Sequence, residues 1–79
     1  PVGQKSAYEK LVQLFPGDER AMMLLGIHHF GQQEYAEAVA ALSRLREGGV
    51  PGDHSAAEYL LSLSELAGRA VALLNELEP

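Results

Sequence analysis

Cysteine is missing from this 79-residue sequence, and basic residues are few. The absence of cysteine excludes disulfides, thiolate nucleophiles and cysteine-ligated zinc or iron–sulfur clusters, while both reducing and oxidising compartments stay open. Six Lys and Arg stand against eleven Asp and Glu, which gives a formal net charge of −5. Because phosphate contacts need clustered Lys and Arg, we expect no nucleic-acid partner.

Long apolar runs are also missing. No run approaches the roughly 18 to 20 residues that cross a bilayer, so we expect no direct membrane insertion by this segment. No signal-peptide pattern precedes the first helical segment. The sequence starts at Pro1 without an initiator methionine, and its first helix has no partner before it. We therefore expect a piece of a longer protein, whose other parts would carry any anchor or targeting signal.

Glycine and proline divide the chain into four segments whose apolar residues have helical spacing. No segment alternates as a strand does, so the sequence predicts one all-α domain over residues 1–79. The apolar spacing of the final segment keeps its phase through Gly68; we expect one long helix there, and a turn at Gly68 is the alternative. The predicted helices run over 4–15, from Asp18 to Gly31, from about Glu34 to Glu47, and over 54–78.

Cap residues and apolar faces locate these helices. Ser6 with Glu9, and Ser55 with Glu58, match the capping-box pattern, and Asp18 is placed to cap the second helix. Gly31 would permit a left-handed exit from that helix. The expected core faces are Tyr8, Leu11, Val12 and Phe15; Ala21, Met22, Leu24, Leu25 and Phe30; Tyr35, Ala38, Val39, Ala41, Leu42 and Leu45; and Leu60, Leu63, Ala67, Ala70, Leu74 and Leu77.

The spacing of residues in the middle of the chain resembles the tetratricopeptide repeat. Met22 stands where that family has a tryptophan, His29 where it has an aromatic residue and Leu42 where it has a phenylalanine. Gly26 and Ala38 would be small at the two places where the helices cross most closely. The positions that match the repeat pattern are Pro16, Met22, Leu25-Gly26, Ala38, Leu42 and Val50-Pro51.

The resemblance implies a tetratricopeptide-like antiparallel helix hairpin with a partial preceding repeat and a long C-terminal capping helix. Residues 4–15 would form the half repeat, residues 19–50 the full repeat and residues 54–78 the capping helix. A terminal helix of this kind covers the apolar side that the last repeat would otherwise expose.

A narrower resemblance is to the last repeat of the periplasmic tetratricopeptide proteins of bacterial cytochrome c maturation, of the CcmI/CycH/NrfG type. It is carried by residues 21–26, residues 33–39, the Gly/Pro linker and the long final helix. Those assembly factors present apocytochrome c to the haem-attaching machinery. The resemblance implies a chaperone-like adaptor in the periplasm, within a membrane-anchored or exported bacterial protein, with apocytochrome c or the haem-attachment machinery as its partner.

The first helix of each hairpin lines the concave side of such repeats, which points to a binding surface on the second helix. Arg20, Met23, Ile27 and Phe30 follow one another about one turn apart, and we predict that they bind a polypeptide client. Two alternatives stay open: the closing helix fills this groove, or the long final helix mediates self-association, in which case the chain forms a homodimer.

We interpret the histidines and residues 53–55 as structural, and not as catalytic or metal-binding. His28 and His29 are adjacent and point about 100° apart on a helix, so they do not chelate one ion together. Asp53, His54 and Ser55 contain the residue types of a hydrolytic triad, but consecutive residues at a helix start do not form the relay, and capping explains them better. We expect no enzymatic activity, no metal and no cofactor.

Overall fold

Four α-helices make up most of the computed structural model, which describes residues 2–48 and 51–77. They are α1 (Val2–Leu14), α2 (Glu19–Gly31), α3 (Tyr35–Glu47) and α4 (Ser55–Leu77). No strand occurs among the described residues, and α4 runs through Gly68 without a break. The predicted all-α fold and the single long final helix are thus confirmed. The predicted positions at Gly49, Val50 and Glu78 lie outside the described residues.

The helices pack as an antiparallel hairpin with one further helix on each side. α1 packs on α2, α2 on α3 and α3 on α4, and α4 also contacts α2. The end of α3 lies beside the start of α4, as shown by the distance of 2.9 Å between Nη2 of Arg46 and Oε2 of Glu58. The start of α3 lies beside Gly68, where an added Cβ would be 3.6 Å from the Cβ of Tyr35. This arrangement confirms the predicted hairpin and capping helix.

One apolar cluster holds the four helices together. Leu42 of α3 and Leu61 of α4 are almost fully buried, and the removal of such apolar surface from water is the main term that stabilises the fold. The α1 contribution is small, with Val12 as its one buried member among the described residues. The cluster consists of Val12, Ala21, Met22, Leu25, Ala41, Leu42, Leu45, Ala57 and Leu61.

The closest helix contact is at Gly26, as the sequence predicted for a small residue. A Cβ built on Gly26 would lie 2.9 Å from both Cγ and Cδ2 of Leu42, so even a methyl group needs Leu42 to move. Ala38, the other predicted small residue, is fully buried. Small side chains at these two positions let α2 and α3 approach each other closely, and Leu25 and Leu42 are both buried in the core cluster.

The ends of α2 agree with the prediction at one end and differ at the other. Asp18 caps the helix as expected, since its Oδ1 accepts a hydrogen bond from the backbone N–H of Arg20 at 2.8 Å. Gly31, by contrast, still belongs to the helix, and the left-handed residue is Gln33, with a φ of 62°. The prediction of a left-handed exit at Gly31 is therefore wrong: the chain turns two residues later, at a residue type that tolerates this backbone conformation less well than glycine does.

Neither predicted capping box forms. α1 already begins at Val2, so Ser6 lies inside the helix and has no free helix end to cap. At α4 the cap is Asp53, whose Oδ1 accepts from the backbone N–H of Ser55 at 3.0 Å. Glu58 pairs with Arg46 of α3 and does not reach back to its own helix start.

The length of α4 sets which of its residues are buried. α4 has 23 residues and α3 has 13, so α4 is ten residues, or about 15 Å, longer. The buried residues of α4 are Ala57, Leu61 and Ser64, and every residue from Arg69 to Leu77 is exposed. The predicted core face is therefore wrong in its second half: Ala70, Leu74 and Leu77 lie past the start of α3, where no described helix covers them. No helix in the described part of the chain is both long enough and apolar enough to span a bilayer.

Candidate partner-binding surface

Of the four predicted binding residues, Arg20 and Ile27 lie on the exposed side of α2, and Met23 and Phe30 lie between that side and the core. Ile27 is 52% exposed and Arg20 is exposed, while Met23 and Phe30 are half-buried. The opposite side of α2 packs into the core through Ala21, Met22, Leu25, Gly26 and His29. One side of α2 is therefore packed in the core, and its other side carries apolar residues that are exposed to solvent.

The capping helix does not bury this surface. Ile27 keeps about half of its surface in solvent although α4 contacts α2. Met23 packs against the edge of the core cluster, and the ring of Phe30 meets the ring of Tyr35 edge-on, with centroids 5.4 Å apart. Met23 and Phe30 therefore belong partly to the fold, and Ile27 is the residue of the four whose apolar side chain is most available to a partner.

Two residues that the sequence assigned to the core extend the surface. Leu24 is 42% exposed and Phe15 is 54% exposed, because α1 ends at Leu14 and covers only one edge of α2. Together with Leu11 and Ala21 they line an open cleft of about 330 Å³ beside Asp18 and Arg20. The sequence did hold the signal for Leu24, which lies four residues after Arg20 and three before Ile27 and so shares their side of a helix. We call Arg20, Met23, Leu24, Ile27 and Phe30 the α2 surface.

Arg20 already has a carboxylate partner on its own chain. Its Nε and Nη2 donate to Oδ1 and Oδ2 of Asp18 at 3.1 and 2.8 Å. The hydrogen bond from the Arg20 side chain, with a second one from the Arg20 backbone, lowers the pKa of Asp18 to about 2 and keeps it ionised at neutral pH. The charge of Arg20 is thus largely compensated within the chain. A pairing of Arg20 with a client carboxylate would have to compete with Asp18, which reduces the contribution of Arg20 to binding.

The histidines have structural contacts. Nδ1 of His29, a buried residue, donates to Oε1 of Glu34 at 2.8 Å and ties the end of α2 to the start of α3. That hydrogen bond holds the pKa of the Glu34 carboxyl below its usual value. The ring of His28 packs on the ring of Tyr8 from α1, with centroids 5.5 Å apart. In the described residues, no three His, Asp or Glu side chains lie close enough together to hold a metal ion.

Asp53, His54 and Ser55, the three residue types of a hydrolytic triad, form contacts that do not link them in a relay. His54 contacts Glu19 at the start of α2, through its Nδ1. The Ser55 hydroxyl donates to Asp53, so the serine bonds the carboxylate directly and no histidine lies between them. This geometry joins the starts of α2 and α4 and caps α4; it does not contain the serine–histidine–carboxylate relay of a hydrolase.

Comparisons of this chain with protein-family models, with curated proteins and with solved structures found no match. These comparisons neither support nor oppose the resemblance to the tetratricopeptide repeat. Membership of that family stays a prediction from the sequence.

Proposed function

We propose that this chain is a non-catalytic protein–protein interaction module that binds a polypeptide segment along the α2 surface. The observation that supports it is the exposure of Leu24 and Ile27, one turn apart, on a helix whose other side forms the core. A client that covers both side chains removes apolar surface from water without any rearrangement of the hairpin.

An amphipathic helix is the client shape that fits this surface. An amphipathic client helix carries apolar anchors about one turn apart, and the residues of the α2 surface, which have the same spacing, offer each anchor a contact. Met23 has an unbranched, polarizable side chain that adapts to different client side chains. The cleft between Phe15 and Leu24 offers a place for one anchor residue of the client.

The affinity of such a contact is modest. Leu24 and Ile27 already bury about half of their surface, so each offers about 1 kcal/mol, less than the roughly 1.5–3 kcal/mol of a fully buried side chain. A dissociation constant in the micromolar range or weaker is therefore expected for this module alone. In stacked repeats, neighbouring units add contacts to the same client.

The client that we propose is a segment of apocytochrome c, or a component of the haem-attachment machinery, in the bacterial periplasm. This part of the proposal rests on the resemblance of residues 21–26 and 33–39 to repeats of cytochrome c maturation. The net charge of −5 favours association with a basic client at low ionic strength.

The test is an NMR amide-shift titration of the 79-residue chain with three peptides. These are the C-terminal helix of a c-type apocytochrome, its haem-attachment segment and an unrelated amphipathic helix. We expect an apocytochrome peptide to shift the amides of the α2 surface. An equal response to all three peptides would remove the cytochrome part of the proposal, and no response on the α2 surface would remove the proposal itself.

A matched pair of variants assigns the binding to the surface. Ile27→Glu places a charge in the proposed contact and should weaken peptide binding by at least about tenfold, because the charge loses hydration when the client covers it. Ala40→Glu adds the same charge at an exposed position of α3, away from the surface, and should leave the affinity unchanged. Equal effects of the two variants would contradict the assignment.

A further inference from the structure

A second apolar stripe runs along α4, on a side that is largely exposed in the described part of the chain. Its members recur at alternating intervals of four and three residues, the spacing of a coiled-coil seam. Leu66, Leu73 and Leu77 are each more than half exposed, and so is Tyr59. The stripe consists of Tyr59, Leu63, Leu66, Ala70, Leu73 and Leu77.

The stripe and the buried face of α4 lie on nearly opposite sides of the helix. With about 100° of rotation per residue, the positions that pack on α3, namely Ala57, Leu61, Ser64 and Gly68, are centred more than about 150° from the stripe. The stripe is therefore not a continuation of the core. A second helix is able to lie along it without displacing α3.

We propose that the occupant of this stripe is α4 of a second copy of the chain, packed antiparallel over residues 66–77. The argument rests on self-complementarity in size. An antiparallel pairing that sets Leu66 against Leu77 of the second copy also sets Ala70 against Leu73. On one flank of the seam, the same pairing sets Ala67 against Leu74. Each alanine thus faces a leucine across the two-fold axis, which lets the helices approach closely without voids.

The charges on the other flank of the seam are complementary in the same pairing. Arg69 lies opposite Glu76 of the second copy, and the two-fold axis repeats that pair, so the interface gains two ion pairs. Neither residue forms an ion pair with another described residue of its own chain. Both charges are therefore available for a partner.

The neighbouring alignments bring like charges together. A shift by one heptad, which is seven residues, in one direction places Arg69 opposite Arg69 of the second copy, and the same shift in the other direction places Glu76 opposite Glu76. An in-register parallel pairing sets Arg69 opposite Leu74 of the second copy and forms no ion pair between Arg69 and Glu76. Charge thus selects one orientation and one register for the pair.

The interface is short, so the dimer is weak. Twelve paired residues extend about 18 Å along each helix, which gives a contact at the lower end of specific interfaces. We expect a dissociation constant in the micromolar range, so the chain changes from monomer to dimer over concentrations used for sedimentation.

Charge-reversal variants of the full 79-residue chain test the pairing by sedimentation equilibrium. Glu76→Arg replaces two ion pairs by two repulsive contacts and should raise the dimer dissociation constant by about tenfold or more. Arg69→Glu should do the same. The double variant R69E/E76R exchanges the two charges and should restore the original constant to within about threefold. Glu9→Arg, the same change at an exposed position of α1, a helix that does not contact α4, is the matched control and should have little effect.

Three results would overturn the proposal: a wild-type chain that stays monomeric at about millimolar concentration, a failure of R69E/E76R to restore the dimer, or an equal effect of Glu9→Arg. Circular dichroism of each variant should show unchanged helix content, because all of these side chains are exposed. Circular dichroism thus distinguishes a variant that has lost the α4 helix from a variant that has lost only the dimer contact.

A cysteine pair tests the antiparallel orientation separately, because the chain has no cysteine of its own. A mixture of the variants Ala70→Cys and Leu73→Cys should oxidise mainly to the mixed disulfide, since position 70 faces position 73 of the second copy. Disulfides mainly between identical variants would indicate a parallel pair and would overturn the proposal.

Discussion

The two halves of α4 have similar apolar content, but buried residues occur only in the first half. In residues 55–68, Leu61 is 1% exposed and Ser64 is fully buried, whereas in residues 69–77 Leu73 and Leu77 are 59% and 78% exposed. The difference comes from α3, which begins beside Gly68 and covers nothing beyond it. Apolar spacing shows that a helix has faces to bury, and the length of the neighbouring helix decides how much of them is buried within one chain.

The largest test of this comparison uses one leucine from each half. Leu61→Ala should lower the free energy of unfolding by about 2–5 kcal/mol, because it removes a fully buried side chain and leaves a cavity between α3 and α4. Leu73→Ala should change it by less than about 0.5 kcal/mol, as substitutions at exposed positions usually do. Urea unfolding followed by circular dichroism measures both values.

The protein concentration in this experiment should lie well below the expected dimer dissociation constant, so that only the monomer contributes. Similar losses for the two leucines would show that residues 69–77 pack on the hairpin after all. In that case the stripe on α4 would not be free for a second copy.

Sequence reasoning predicted the hairpin because its signals are local. The spacing of Gly26, Ala38 and Leu42 reports how two neighbouring helices cross, and these contacts join segments that are adjacent in the chain. The same reasoning located Asp18 as a helix cap, since a cap acts on an amide two residues away. Interactions of this range are readable from residue type and position alone.

The features that sequence reasoning missed depend on where an element ends relative to another. Leu24 matched a core pattern, but α1 ends too early to cover it. Leu77 continued the apolar spacing of α4, but α3 packs on α4 only as far as Gly68, so Leu77 is exposed. Glu58 fitted a capping box, yet Arg46 of α3 lies within hydrogen-bond distance and takes its carboxylate. Each of these outcomes requires the relative placement of two helices, which the spacing within one helix does not contain.

Two glycines allow a comparison between two helix contacts. Gly26 lies where α2 and α3 approach most closely, and Gly68 lies where α4 extends past the start of α3. Gly26→Ala gains about 1 kcal/mol in helix propensity but forces a methyl group against Leu42, at a cost of about 1–3 kcal/mol. We expect a net destabilisation of up to about 2 kcal/mol. Gly68→Ala gains the same propensity and meets Tyr35 at an ordinary distance of 3.6 Å, so it should be neutral or stabilising by up to about 1 kcal/mol.

Thermal unfolding of the two variants measures the contrast. A Gly26→Ala variant as stable as Gly68→Ala would mean that Leu42 moves aside without loss, and the close crossing would then not limit the choice of residue at position 26.

The smallest effect concerns the ion pair that anchors the first half of α4. The side chain of Arg46 donates to the Glu58 carboxylate and holds its pKa below the usual 4.5. A carboxyl whose folded-state pKa is lowered stabilises the fold above its unfolded pKa, and that contribution is lost as the pH falls through the folded-state value. Glu58→Gln should therefore lower the melting temperature slightly at pH 7, and this difference from wild type should shrink as the pH falls below 4.5. Glu76→Gln, within residues 69–77, changes a carboxylate that forms no ion pair with another described residue, so it should leave the melting temperature of the monomer unchanged at pH 7. A difference for Glu58→Gln that persists at low pH would mean that packing of the side chain, and not its charge, joins α4 to α3.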